Sequence, residues 1–528
     1  MNKITYALLG MAAVVFVGCA DLDYNEASNR DEDWTYNSPL NGVKALVYDV
    51  YAQMPSEFKD DSYGNGALIA SATDESEFAL SFSPIHKYFN GGWTPSNPFS
   101  TTWDRSYRAI TQVHMYLERI HKIDLSDYKY DPDYQTMVQQ FEIFPYELRF
   151  LRTYFYFELV RAYGDVPLVT TTLTNEQANS VERTPAKDVF KFIINELDAV
   201  AEYLPVSYND IPGQEIGRAT RGAALALKAR VLLYQASPLF NTDNNKELWK
   251  EAAAASKVII DNAQRWGYKL SEYAKLWGHD TFTNSEFIFV LGTQASNTFE
   301  QYNYPVGVEN GNSGNCPTQA LVDAYEYQAD GKTFKEKHPG DVDVTTENPY
   351  DGLDPRFELT VVKNGDLWPS NTTQQIAIET YQSGFNGAPK YGATPTGYYL
   401  KKFVDGNCVT TANNQTTTRH NWIVMRLAEV YLNYAEAMYN YYGNADEQGD
   451  FGMSANEAIN VLRNRPDIMM PEFQGNNGFE ERYMRERMVE LAFEGQRFWD
   501  VRRWKELGQT ANIYGVKITK NNEVISYE

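Results

Sequence analysis

The chain has 528 residues, 43% of them hydrophobic and 22% charged, a balance that belongs to a packed body rather than a disordered one. Its 47 basic and 70 acidic residues give a formal net charge of −23, with no basic run to interrupt that field. An acidic surface repels phosphate backbones, which excludes nucleic acid as the expected partner and favours a neutral or polar ligand.

In chain order, Lys3 gives the N-terminus a short positive region, and residues 6–17 form an almost unbroken apolar run. The run falls short of the about 20 residues that a spanning helix needs; it has the layout of a secretory signal peptide. Gly18 and Cys19 close it, and acidic residues follow directly. A small residue before a cysteine at this place resembles a bacterial lipoprotein signal, which implies cleavage before Cys19 and lipidation of its thiol. Residues 1–18 are then the signal peptide, 19–37 a lipidated flexible tether and 38–528 a single folded domain. Beyond Cys19 only Cys316 and Cys408 remain. Two cysteines make no disulfide framework, although one bridge stays open in an oxidising compartment. No later apolar run is long enough to cross a bilayer.

The folded part is mainly α. Leu225, Ala229, Leu232, Leu233 and Ala236 make one apolar helix stripe; Leu427, Val430, Tyr431, Tyr434, Ala435 and Met438 make another. The helical stretches come in pairs: 38–54 with 100–122, 142–163 with 185–203, 218–236 with 246–262, and 422–442 with 454–465. Small residues such as Ala223, Ala224, Ala252 and Ala253 stand where helices cross closely. Such pairs resemble tetratricopeptide units, although the full consensus is absent. A pair cannot bury its own apolar faces, so the pairs are expected to stack into one superhelical scaffold.

Two stretches, 55–97 and 263–421, break this periodicity and are rich in Gly, Pro, Asn, Thr and aromatics. Within the longer one, 287–291 and 357–362 read as short strands. An insertion of that length is too long for a connection, and binding residues tend to sit on loops held by a rigid frame. These two excursions are therefore the expected ligand face.

No catalytic or metal-binding constellation emerges. None of the six histidines forms the i, i+4 pair of a helical zinc site or neighbours a cysteine at ligand spacing. The 70 acidic residues leave a glycosidase's pair of carboxylates open. The charged run Glu481, Arg482, Arg485, Glu486, Arg487, Glu490, Glu494 and Arg497 reads as opposite charges paired along helix faces, with Trp499 and Trp504 sealing that helix to the core. The aromatic load, 10 Trp, 38 Tyr and 27 Phe, is more informative. Rings on helix stripes are core. Others lie in the loops beside Gly and Asn, among them Trp93, Tyr302, Tyr304, Trp368, Tyr381, Phe385 and Tyr391. An exposed flat ring suits the apolar C–H face of a sugar, while its hydroxyl rim needs donors and acceptors such as Asp, Asn or Arg. The competing reading is that each such ring only packs loops together.

The chain resembles the RagB/SusD family of glycan-binding lipoproteins of Bacteroidetes nutrient-uptake systems. The likeness runs through Phe150-Leu151-Arg152-Thr153-Tyr154 into Gly164-Asp165-Val166-Pro167, then Ala229 to Leu239, Pro317 to Asp323, Asp354-Pro355-Arg356-Phe357, Arg426 to Leu432 and Glu486 to Asp500. It implies four tetratricopeptide-like pairs cradling a loop-rich face. It also implies a place at the outer membrane facing the cell exterior, and a SusC-type TonB-dependent transporter as partner. Trp93 is carried over as a stacking ring placed shortly before the helix that begins near Trp103. Asp74, Asn97, Tyr302, Tyr304 and Tyr381 are the further glycan-binding candidates, with no cofactor and no metal. Glycan capture without catalysis is the leading expectation; peptide binding, as in some relatives, and a surface glycosidase are the alternatives.

Overall fold

A computed structural model describes residues 42–58, 63–94, 96–97, 101–209, 217–277, 283–338, 348–368, 375–411, 414–510, 512–522 and 524–528. The signal peptide, Cys19 and the tether lie outside the described residues. The longer helices are α1 (Lys44–Ala52), α2 (Thr102–Ile120), α3 (Tyr134–Tyr163), α4 (Ala186–Ala201), α5 (Arg221–Ala236), α6 (Lys246–Asn262), α7 (Leu427–Tyr442), α8 (Ala455–Arg463), α9 (Phe479–Glu490) and α10 (Arg497–Trp504). The strands are short: β1 (Ser76–Phe78), β2 (Phe287–Gly292), β3 (Asn315–Pro317), β4 (Val361–Val362), β5 (Leu367–Trp368), β6 (Ile376–Ala377), β7 (Tyr399–Leu400), β8 (Asn421–Arg426), β9 (Ile518–Asn521) and β10 (Val524–Tyr527).

From α2 to α8 each helix packs on the next in an unbroken stack, and α6 meets α7 directly although the long insertion separates them in sequence. Local chemistry sets the helix starts. The Thr220 hydroxyl accepts from the Ala223 N–H to open α5, and a capping box of Ser454 and Glu457 opens α8. Small residues let the stack close: Ala223, Ala226 and Ala229 of α5 and Ala252 and Ala253 of α6 are all buried. One apolar core joins α1 to α5 with β2, β8 and the start of α7; a second joins α5 through α10. A third lies within the insertion, where Tyr325, Phe357 and Tyr398 pack against Met488 and Val489 of α9. Trp103 is half-buried against Tyr107 and Tyr163, a core role as expected.

Four expectations are corrected. Residues 421–426 form a strand, not the start of a helix: β8 pairs antiparallel with β2, and helix α7 begins at Leu427. Every residue of β8 is buried, so the alternation that marks a half-exposed strand is absent from the sequence. Residues 357–362 are mostly helix, because the Asp354 side chain caps the Arg356 N–H and Pro355 takes the first helical position; only Val361 and Val362 are strand. Helix α3 starts at Tyr134, ahead of the expected 142, and carries Pro145 inside it.

The fourth correction concerns the C-terminal charges. Glu481 and Arg485 do pair along one helix face, at 2.9 Å. Glu486, Glu490, Glu494, Arg487 and Arg497 instead reach across the fold. Arg356 of the insertion touches Glu486 at 2.6 Å and Glu490 at 2.8 Å, and Arg426 touches Glu490 at 2.7 Å and Glu494 at 2.8 Å. These groups are fully buried and pin the insertion to α9. Cys316 and Cys408 are both free and buried, so no bridge joins them.

Candidate ligand-binding face

The two excursions are one structure. Strand β1 of the first pairs antiparallel with β3 of the second, aligning Ser76 with Pro317 and Phe78 with Asn315. The Asn315 side chain is the rivet. Its Oδ1 accepts from the Leu68 N–H at 2.9 Å and the Ser71 hydroxyl at 2.8 Å, while its amide donates to the Gly66 carbonyl at 3.0 Å and to Asn303 Oδ1 at 2.7 Å. Thr318 closes the far end by donating its hydroxyl to the Asp74 carbonyl.

From β1 the chain runs through 79–93 and lies against the loop at 383–392. A methyl placed on Gly392 would meet Leu80 at 3.8 Å and Val306 at 4.0 Å, and one on Gly307 would meet the Phe385 ring at 3.0 Å. Among the described residues eight Phe, Tyr and Trp side chains are exposed, and five of them, Phe82, Phe89, Trp93, Phe385 and Tyr391, belong to this surface. That concentration marks it as the candidate face. Trp93 is 39% exposed and is backed edge-on by Tyr88 at 4.9 Å, which itself rests on Tyr63 and Phe498. Its ring is held against Tyr88 and is partly open to water.

The six sequence candidates divide. Trp93 is on the face. Asn97 is exposed but turned to its own loop, donating to the Gly92 carbonyl at 2.9 Å, so it shapes the turn that carries Trp93. Tyr302 is half-buried and lines a cleft beside the face. Tyr381 is half-buried at the base of the 383–392 loop, with Lys520 5.3 Å from its ring centre. Asp74 and Tyr304 are corrected as surface groups. Asp74 is 4% exposed and holds Arg497 through bonds of 2.9 and 2.7 Å. Tyr304 is 1% exposed and donates to the carbonyls of Asp405 and Cys408. Of the other loop rings, Trp368 is buried in the core. Phe82 and Phe89 were not singled out from the sequence. Their signal was a phenylalanine between serines before Pro84, and one directly before Asn90-Gly91-Gly92.

Few charges reach this surface. Lys390 folds over Phe385, its ammonium 4.1 Å from the ring centre. Glu379 accepts from the Phe385 N–H, which holds its carboxyl below the usual range. Beneath the face, burial pushes the Glu77 carboxyl up to about 7, with His86 at 3.8 Å. Among the described residues no group of three or more His, Cys, Asp or Glu is placed to hold a metal, and no helix is long and apolar enough to cross a membrane.

A stack of paired helices that presents a ring-bearing face built from two excursions defines a helical-repeat scaffold protein. Two related sequence families match most of its length: one described as "SusD family" over residues 285–525, the other as "Starch-binding associating with outer membrane" over 22–233. The chain belongs to the SusD-like family. It is 23% identical to a SusD-like protein of Formosa agariphila, over 77% of this chain and 70% of that one. Among solved structures it is similar to a SusD-like protein of Bacteroides fragilis, with a TM-score of 0.75, 26% identity and coverage of 94% and 92%. A SusD-like carbohydrate-binding protein of the same species superposes with a TM-score of 0.72 at 25% identity, covering 91% and 89%.

Proposed function

We propose that this protein holds an oligosaccharide or polysaccharide on its ring-bearing face, without chemistry, and passes it to a partner SusC-type TonB-dependent transporter. A lipid on Cys19 tethers it to the outer membrane, facing the cell exterior. The observation that carries the reading is that Phe82, Phe89, Trp93, Phe385 and Tyr391 are exposed on two loop stretches that touch at Leu80 and Gly392. Rings held open to water are unfavourable in a monomer unless something covers them, and the C–H faces of sugars do so while leaving hydroxyls solvated. The 25%-identical neighbour described as carbohydrate-binding supports the ligand class, and the family description supports the membrane. If each ring contributes on the order of 1 kcal/mol, two or three give affinities roughly between micromolar and millimolar.

Affinity electrophoresis against plant, microbial and host polysaccharides tests the reading. Retardation by at least one is expected, with loss of retardation on Trp93→Ala while the melting temperature is kept. Retention of binding by Trp93→Ala would remove the face from the proposal. Release of reducing ends on incubation with the bound polysaccharide would overturn the non-catalytic role.

A further inference from the structure

Beside the ring face, a cleft of about 890 Å³ opens between α1, the residues 54–58, the end of β2 and the short helix Thr298–Asn303. Its volume falls within the range of pockets that take small organic ligands. We infer that this cleft is a second saccharide subsite, distinct from the ring face, for a short neutral oligosaccharide. The inference rests on the glycan-binding reading above.

The walls are preformed. Tyr51 of α1 donates to Glu147 Oε2 at 2.5 Å and accepts from the Ala219 N–H at 2.8 Å, and Arg218 pairs with the same carboxylate. This ties α1 to α3 and to the residues before α5. On another side, the β2–β8 pairing is prolonged by the Thr293 N–H donating to the His420 carbonyl at 3.1 Å and the Ser296 N–H to Thr418 at 2.8 Å. Phe58 is wedged edge-on against Phe299 at 5.0 Å and Trp422 at 5.4 Å. A ligand entering here orders little protein, which favours binding.

The lining mixes rings with neutral polar groups. Tyr48, Tyr51, Phe58, Phe299 and Tyr302 alternate with Gln294, Ser296 and Thr298. The ionisable groups on the wall are already engaged: Glu57 accepts from the Ile69 N–H, Arg218 faces Glu147, and His420 meets Glu300 at 2.8 Å. The Arg218 cation faces a carboxylate and Glu57 adds a negative charge, which disfavours an anionic ligand and suits one that is uncharged and rich in hydroxyls. Tyr48 adds a half-buried ring to this wall. Tyr302 is held in the cleft wall, because it packs on Gly66, where a methyl would come within 2.8 Å of the tyrosine Cβ, and Gly66 is held by the Asn315 rivet.

The test uses the tetraose cut from whichever polysaccharide retards the intact protein. Equilibrium dialysis should find two tetraose molecules per chain, and soaked crystals should show density in both places. Gln294→Trp, at an exposed position on the cleft wall, should weaken the cleft site at least tenfold, leaving one molecule per chain with retardation intact; Tyr302→Ala, with unchanged circular dichroism, should weaken the same site. Phe89→Ala with Trp93→Ala should abolish retardation and leave the other molecule. One tetraose per chain, lost in the face variant and untouched by Gln294→Trp and Tyr302→Ala, overturns the cleft and leaves the proposed function standing. One tetraose per chain, lost only in the cleft variants, supports the cleft and overturns the face. If no polysaccharide retards the intact protein, both fall.

Discussion

The seam between the insertion and α9 is built in the opposite way to the ring face. At the seam, Arg356, Arg426, Arg463 and Arg465 interleave with Glu286, Glu326, Glu486 and Glu490, all of them buried. Burial pushes the Glu490 carboxyl up, but Arg465, Arg426 and Arg356 outweigh it and hold it well below the usual range. At the face, rings stand open to water on turns held by local bonds such as Asn97 to Gly92. The seam is costly to disturb and is closed to solvent. The face contributes little to stability. Anchoring the excursions by buried charge rather than by the rings is what lets stability and binding be separate properties.

The largest expected effect tests the seam. Arg426→Met should destabilise the fold by about 3–5 kcal/mol, because it strips a buried cation from Glu286, Glu490 and Glu494 and leaves Arg465, Arg356 and Lys402 to balance the three carboxylates only in part. Urea unfolding measures it. Trp93→Ala is the counterpart: it should cost only about 1 kcal/mol, the worth of its edge-on contact with Tyr88. A small loss at Arg426, or a large one at Trp93, would erase the contrast.

The helical stack is legible in sequence because burial there repeats with the helix period. Val189, Ile193, Leu197 and Val200 announce α4 by spacing alone. The face is legible only in part. Trp93 beside two glycines signals a ring on a turn, and the structure leaves it exposed. Asp74 is a polar residue in a loop, and nothing nearby in sequence tells that Arg497, 423 positions later, closes on it. The same holds for the seam: the run from Glu481 to Arg497 has helix spacing, so local pairing is the natural reading, but the partners come from β8 and the insertion. Periodicity reports what a segment does alone. It is silent on which distant segment arrives.

Glu77 lies between the two regions, in β1 under the face, and offers a pH-dependent test. Burial raises its folded carboxyl from the ordinary 4.5 to about 7. Between those values the folded chain keeps a proton that the unfolded chain releases, so stability falls as pH rises through the window and stays reduced above it. Glu77→Gln removes the ionisation. The variant's urea midpoint should match the parent near pH 4 and exceed it increasingly up to pH 8. A constant difference would mean that Glu77 does not keep its proton in the folded chain.

The smallest expected effect sharpens the contrast most, since it lies on the same helix as Glu490. Glu481 and Arg485 pair at 2.9 Å, but the Glu481 side chain is 81% exposed. Water screens that pair and two long side chains lose freedom in forming it, so such pairs contribute about 0.3–0.5 kcal/mol. Glu481→Ala should therefore shift the urea midpoint barely beyond error, and the shift should vanish in high salt. The sequence pattern is the same at both ends of the helix: acidic and basic residues a turn apart. What differs is whether water or another part of the fold surrounds the carboxylate, and on that difference rest the several kcal/mol separating Glu481 from its buried neighbours.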